Sequence, residues 1–255
     1  MSKVKRRIEL LLLGFALFAG GVAASALLIR WIETAETRSL EQRYGPSKYS
    51  LNAEEWIIRD FFNDRRNGVF VDVGANDYQK GSNTYYLETV LGWSGIAIDA
   101  LRQFEEDYKI HRPRTRFRTF FVSDRSNDQA KVYVLKGDTL RTSATKEFTQ
   151  RVGGDLSEVS TPTITLNDLL GVEGISSFDF LSMDIELAEP QALAGFDIER
   201  FHPSLVCIEA HPDVRQQILD YFARHRYVIL GKYLRADTEN LYFTPLASPP
   251  ESGGR

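Results

Sequence analysis

The sequence predicts an α/β fold: a mostly parallel sheet with helices on both faces, preceded by a single transmembrane helix. Three observations predict it. Short apolar runs alternate with helical patterns from about residue 50 to 245, the order that builds parallel sheets through crossover helices. Four of those runs end on or beside an acid, Asp72, Asp99, Asp184 and Glu209, at the edge where such sheets hold their ligands. Residues 10–29 carry no charge; at about 1.5 Å per residue they span a bilayer core.

The totals bound the function. A net charge of -4 provides no concentrated basic face, so nucleic acid is not an expected partner. Cys207 is the only cysteine, which excludes an internal disulfide and a cysteine-based zinc site. Its apolar setting, LVCI, predicts an inert buried thiol.

A basic tail, residues 1–7, contains Lys3, Lys5, Arg6 and Arg7 and precedes the expected membrane helix at 8–30. A cleaved signal peptide is the rival reading. Ala24-Ser25-Ala26 resembles a cleavage site, but Leu27-Leu28-Ile29 continues the apolar run past it. Arg30, Arg38 and Arg43 follow the span, so the charge asymmetry that orients it is thin and leans toward an exported domain. A juxtamembrane linker, 31–49, opens with Trp31, suited to the membrane interface, and is broken by Gly45-Pro46.

The globular domain is expected over 50–246. Asn52 and Glu55 have the spacing of a capping box, and Ile57, Ile58, Phe61 and Phe62 form an apolar helical stripe. The first strand starts at Val69 and runs through Asp72 to Gly74; a loop and short helix lead to Gly92; Gly95 to Ile98 forms the second strand and ends on Asp99. A helix near 102–110 and a strand near 116–122 follow. Arg114, Arg116 and Arg118 alternate there, as on the outer face of an edge strand. Residues 131–135 read as a further strand, and 136–160 as a mobile polar segment over a site. Residues 178–184 form a buried strand, Pro190 to Leu193 a short helix, and 205–208 another strand ending Glu209-Ala210-His211. An amphipathic helix at 213–224, two closing strands at 227–230 and 241–244, and a disordered tail at 247–255 complete the chain.

The first loop narrows the ligand. Gly74 stands with Asn76 and Asp77, and the next glycine is Gly81, so neither the dinucleotide fingerprint nor the phosphate-gripping P-loop is present. A nicotinamide-dependent oxidoreductase is disfavoured for that reason. The loop suits a nucleoside without phosphate. Gly74 lets it pass close to backbone, Asp72 can receive a cationic amine, and Asp99 can accept ribose hydroxyls; S-adenosylmethionine fits. Ser123-Asp124 either meets the adenine amino group or begins a turn. His211 is either a base for an acceptor hydroxyl or a cap on the following helix. Asp184, Glu209 and His211 together could hold Mg²⁺.

The stretch VDVGANDYQKGSNTYYLETVLGWSGIAIDA resembles the FkbM family of S-adenosylmethionine-dependent methyltransferases. The match runs through Asp72, Gly74, Ala75, Asn76, Ser82, Asn83, Thr84, Leu87, Glu88, Gly92, Trp93 and Gly95, and continues at Asp184, Glu186 and Glu189 and in LVCIEAH. The resemblance implies the Rossmann-like class I methyltransferase fold and methyl transfer, usually to a hydroxyl oxygen. Two departures stand out: Asp99-Ala100 where the family has Glu-Pro, and Leu187 where it has glycine. The expected activity is O-methylation of a sugar, lipid-linked glycan or secondary metabolite, by a domain facing the cytoplasm. The catalytic candidates are His211, Asp184 and Glu209; the cofactor candidates are Asp72, Gly74, Asn76, Asp99, Ser123 and Asp124. A non-catalytic membrane-anchored module with the same fold is the alternative.

Overall fold

The computed structural model describes residues 35–135, 137–152 and 154–247. The basic tail 1–7 and the span expected at 8–30 lie outside the described residues, as does the tail from 248. Among the described residues no helix is long and apolar enough to cross a membrane.

Seven strands form the main sheet, in the order β3-β2-β1-β8-β9-β11-β10. Strand β1 (Val69–Val73) lies inside it, parallel to β2 (Ser94–Asp99) and to the central strand β8 (Phe180–Met183). Strand β9 (Leu205–Glu209) continues the parallel set beside β8, and β3 (Thr115–Thr119) closes one edge. The exception is β11 (Asn240–Pro245), antiparallel between β9 and β10 (Tyr227–Ile229). These strands are apolar on both sides because helices cover both faces.

One face buries Val71, Val73, Ile96, Ile98, Leu181 and Met183. They pack under α6 (Leu166–Val172), α7 (Glu189–Ala194), α8 (Ile198–Phe201) and α9 (Arg215–Arg224). The other buries Phe70, Phe180, Leu205 and Cys207 under Trp56, Ile57, Ile58 and Phe62 of α2 (Glu54–Phe62). Burial pushes the Cys207 thiol up, as expected of an inert core cysteine. Helical residues 35–44 (α1) lie against this second face through Leu40 and Tyr44.

Three local expectations are corrected. No capping box starts α2, whose N-cap is Ala53 without a side-chain cap; Glu55 N donates to Ser50 Oγ at 3.1 Å, and the Glu55 carboxylate accepts from Tyr49 N at 2.8 Å. Asn52 instead leans on Glu54. The strand expected at 116–122 is two strands. Phe120 N donates to Asp99 O where β3 ends, and β4 (Phe121–Val122) leaves to join a second sheet. That sheet, β4-β7-β5-β6, together with one helix, occupies most of the segment read as mobile. Strand β5 (Gln129–Leu135) pairs antiparallel with β7 (Leu156–Ile164) along its full length and with β6 (Asp138–Ser143); α5 (Lys146–Val152) follows β6. The arginines of β3 do mark an edge strand, and Glu173 pairs with both Arg116 and Arg118.

The loop after β1 is pinned by a buried ion pair. Arg112, at the end of α4 (Glu105–His111), is fully buried and donates to Glu88 of α3 (Tyr85–Thr89). It also reaches Tyr78 O at 2.8 Å and Thr84 Oγ1 at 3.1 Å. Breaking such a pair leaves a charge uncompensated in the interior. Arg112→Met should therefore cost about 3–5 kcal/mol in chemical denaturation. Adding Glu88→Gln should recover part of that loss, because the orphaned charge is then gone.

Candidate active site

The carboxyl ends of β1, β2 and β8 open into a narrow cleft. Gly74, Asn76, Asp99, Asp184 and Glu186 line it from the main sheet; Phe121, Val122, Val132, Thr139 and Thr142 line it from the second sheet. Its mix of apolar wall with a few polar groups is that of a small-molecule site.

Gly74 sets how close the two sides of the cleft stand. Its N–H donates to Ile98 O at 2.9 Å, and Asp184 N donates to Val73 O at 3.0 Å, so the chain after β1 is held against both neighbours. A Cβ on Gly74 would lie 1.8 Å from Asp184 O, and φ is +84°. Only glycine fits that position. Asn76 follows in the left-handed region at φ +48°, which asparagine tolerates better than most residues. Its side chain accepts from Asp77 N at 2.9 Å and from Thr139 Oγ1 at 3.2 Å, tying the loop to the second sheet. Ser143 Oγ donates to Glu186 O at 2.7 Å and closes the other side.

Asp99 ends β2 with its carboxylate at the cleft. It accepts from Asn76 N at 3.0 Å and Leu101 N at 2.8 Å. Burial pushes its pKa up to about 6, with the nearby Asp72 charge adding to the rise and the two N–H bonds opposing it. A carboxylate has about four acceptor positions, so two bonds leave capacity for a ligand's hydroxyls.

Asp72 is placed differently from the sequence expectation. Side chains alternate along a strand, and Asp72 shares the face of Phe70, away from Val71 and Val73. It is buried, accepts from Thr84 Oγ1 at 2.8 Å and is absent from the cleft wall. Burial raises its pKa; the Thr84 bond and the Arg112 charge oppose the rise. It fastens the start of α3. Ser123 and Asp124 also lie off the cleft wall. Gln191 Nε2 donates to Ser123 Oγ at 2.9 Å and to Asp124 Oδ1 at 3.1 Å, so the pair joins β4 to α7.

The acids at the ends of β8 and β9 do converge, with a different third member. Asp184, Glu189 and Glu209 each present an oxygen within 4.8 Å of the others. His211 is not in that group. Its Nδ1 accepts from Asp213 N at 3.3 Å and its ring meets Phe148 edge-on at 5.6 Å. Its carbonyl accepts from Val214 N and Arg215 N, which is the helix-start role. Asp184 is open to solvent yet ringed by protein atoms. That desolvation first, then the charges of Glu209 and Glu189, holds its carboxyl well above the usual range. Burial also raises Glu189 to about 7, against the bond it accepts from Ile185 N, and raises Glu209.

Residues missed in the sequence are those of the second sheet, above all Val132, Thr139 and Thr142, and Glu189 as a partner of Asp184. The signal for Glu189 was present: it stands five positions beyond Asp184, inside the same motif. Leu187 adopts φ +78°, a conformation that costs a leucine about 1–2 kcal/mol and a glycine little.

Two glycines supply a test. Gly74→Ala should lower stability by about 3 kcal/mol in thermal or chemical melts, from overlap with Asp184 O. Gly171→Ala, in a helix with open space around the added methyl, should instead raise it by about 0.5–1 kcal/mol.

The profile of the methyltransferase FkbM domain matches residues 72–230. No curated protein matches the sequence. Solved structures resemble it at low identity. An S-adenosylmethionine-dependent O-methyltransferase from Thermotoga maritima is 10% identical with a TM-score of 0.44, over 82% of this chain and 71% of that one. A TehB-like S-adenosylmethionine-dependent methyltransferase from Corynebacterium glutamicum is 14% identical with a TM-score of 0.41, over 83% and 99%. The 1,6-didemethyltoxoflavin-N1-methyltransferase of Burkholderia thailandensis, with S-adenosylhomocysteine bound, is 11% identical with a TM-score of 0.38, over 87% and 89%. The profile spans more than half of the chain and covers the cleft from Asp72 past Glu209: the chain belongs to the FkbM family of methyltransferases.

Proposed function

We propose that this methyltransferase moves the methyl group of S-adenosylmethionine to a hydroxyl oxygen of a sugar, a lipid-linked glycan or a secondary metabolite. The observation that carries the reading is one cleft that holds Gly74, with backbone no side chain obstructs, together with the Asp99 carboxylate and its spare acceptor positions. Asp99 accepts the ribose hydroxyls, and Gly74 allows the nucleoside to lie against the chain. Ile98, Phe121 and Val122 give the base an apolar wall. When bound, the cofactor supplies an electrophilic methyl group on a sulfonium.

The acceptor belongs at the acidic side of the cleft. Asp184 there accepts the hydrogen bond of a hydroxyl and orients its oxygen. Asp184 can also take up the released proton. Orientation is the larger contribution, since alignment of the reacting atoms alone accounts for several kcal/mol in such displacements.

The same proposal places the domain on the cytoplasmic side of a membrane, where the cofactor is made, anchored by residues 8–30. What supports the anchor is the uncharged run in the sequence and the docking of α1 on the domain directly after it. Thr37 Oγ1 donates to Ala236 O at 3.5 Å and Arg43 pairs with Asp60 at 2.9 Å. An anchored domain suits an acceptor at the membrane. A C-terminal reporter active only in the cytoplasm should be active on the full chain, and the chain should stay with membranes after carbonate washing. Release by carbonate, or a reporter active only outside, overturns this part.

Calorimetric titration of the full chain with S-adenosylmethionine tests the cofactor reading. Binding at one site per chain is expected, and Asp99→Ala should weaken it at least tenfold. Affinity should be flat above about pH 7 and fall as pH drops through about 6, because ribose hydroxyls donate to the ionised Asp99 only. Asp99→Asn should flatten that profile. Binding indifferent to both substitutions would falsify the assignment.

A further inference from the structure

Asp184, Glu189 and Glu209 present one oxygen each within 4.8 Å of one another. Two ligands of a common ion stand no farther apart than about 4.2 Å at Mg²⁺–oxygen distances and about 5.2 Å at Ca²⁺–oxygen distances, so carboxylates within 4.8 Å fit the larger ion as they stand and the smaller one once they draw in by a few tenths of an ångström. Glu189 carries the stronger observation. It is fully buried, its Oε1 accepts from Ile185 N at 2.9 Å, and its Oε2 has no hydrogen-bond partner. Glu209 Oε2 is likewise buried without a partner. Buried carboxylate oxygens are ordinarily satisfied. Among the described residues no Lys or Arg forms an ion pair with any of the three. The backbone that brings them together is also unusual, with Glu186 and Leu187 in succession at φ +51° and +78°, a local cost that persists only where the surroundings impose it.

We infer that Asp184, Glu189 and Glu209 form an all-oxygen site for a hard divalent cation, with Mg²⁺ or Mn²⁺ as its natural occupant. Carboxylates without nitrogen or sulfur ligands select that class of ion. Three protein ligands leave coordination positions for water or for an acceptor oxygen, and Asp184 opens that side to the cleft. The ligand set departs from the one the sequence suggested, with Glu189 in place of His211. The cation's role in catalysis rests on the acceptor reading above: an acceptor hydroxyl bound to it becomes more acidic and loses its proton to solvent, relieving Asp184 of that task. Binding of the ion itself does not rest on that reading.

The test titrates Mn²⁺ into metal-stripped full chain without S-adenosylmethionine, followed by loss of the free-ion electron paramagnetic resonance signal. One Mn²⁺ per chain is expected, displaced by excess Mg²⁺. Glu189→Gln and Glu209→Gln should each weaken uptake at least tenfold, and His211→Asn should leave it unchanged. Calorimetry with S-adenosylmethionine on the same variants separates loss of the ion site from loss of the fold. On the unaltered chain, electron spin-echo modulation of bound Mn²⁺ should show no nitrogen coupling. Absence of uptake, uptake indifferent to both glutamine variants, or imidazole nitrogen coupling overturns the proposal. The first of these means the carboxylates share protons instead.

Discussion

The cleft depends on one close approach: the chain leaving β1 passes against the carbonyl of Asp184 with no room for a side chain at Gly74. Parallel strands β1, β2 and β8 bring their carboxyl ends to one edge, and hydrogen bonds from Gly74 to Ile98 and from Asp184 to Val73 hold the three ends in register. Everything polar in the site is placed relative to that contact. Asp99 sits on one side of it, the acids of β8 and β9 on the other, and the second sheet closes over both.

The acids divide into two groups by what balances their charge. Asp72 and Glu88 face a buried arginine and two threonines, and they fasten the loop and α3 to the sheet. Asp184, Glu189 and Glu209 face one another. Two carboxylate oxygens in that group lack partners, and all three carboxyl groups are held above their usual range, with burial the leading cause. A fold can stably bury the first arrangement. The second holds together with protons, or with a cation, in the place of a basic side chain. Asp99 belongs to neither group, because backbone N–H donors stabilise it and leave it open to a ligand.

Much of this was legible in the sequence, for identifiable reasons. Apolar runs bounded by glycine and acid located β1, β2, β8 and β9, because strands buried on both faces leave continuous apolar stretches. The motif around Gly74 and the strand end at Asp99 come together in the wall of one cleft. Asp72 was misplaced because a strand's two-residue period, rather than its position near the strand end, decides which face a side chain takes. The second sheet was not legible. Strands β5 to β7 are polar on the outside and joined by a helix, so residues 136–160 lack the apolar periodicity that announces structure. Glu189 was visible as a motif residue, but its approach to Glu209 depends on how β8 and β9 pair, which spacing along the chain does not reveal.

The most direct measurement is a crystal structure of the full chain with S-adenosylhomocysteine. The account predicts the ribose hydroxyls on the Asp99 carboxylate, the nucleoside lying along Gly74, and the homocysteine sulfur turned toward Asp184. A nucleoside bound elsewhere, or one whose ribose makes no contact with Asp99, contradicts it.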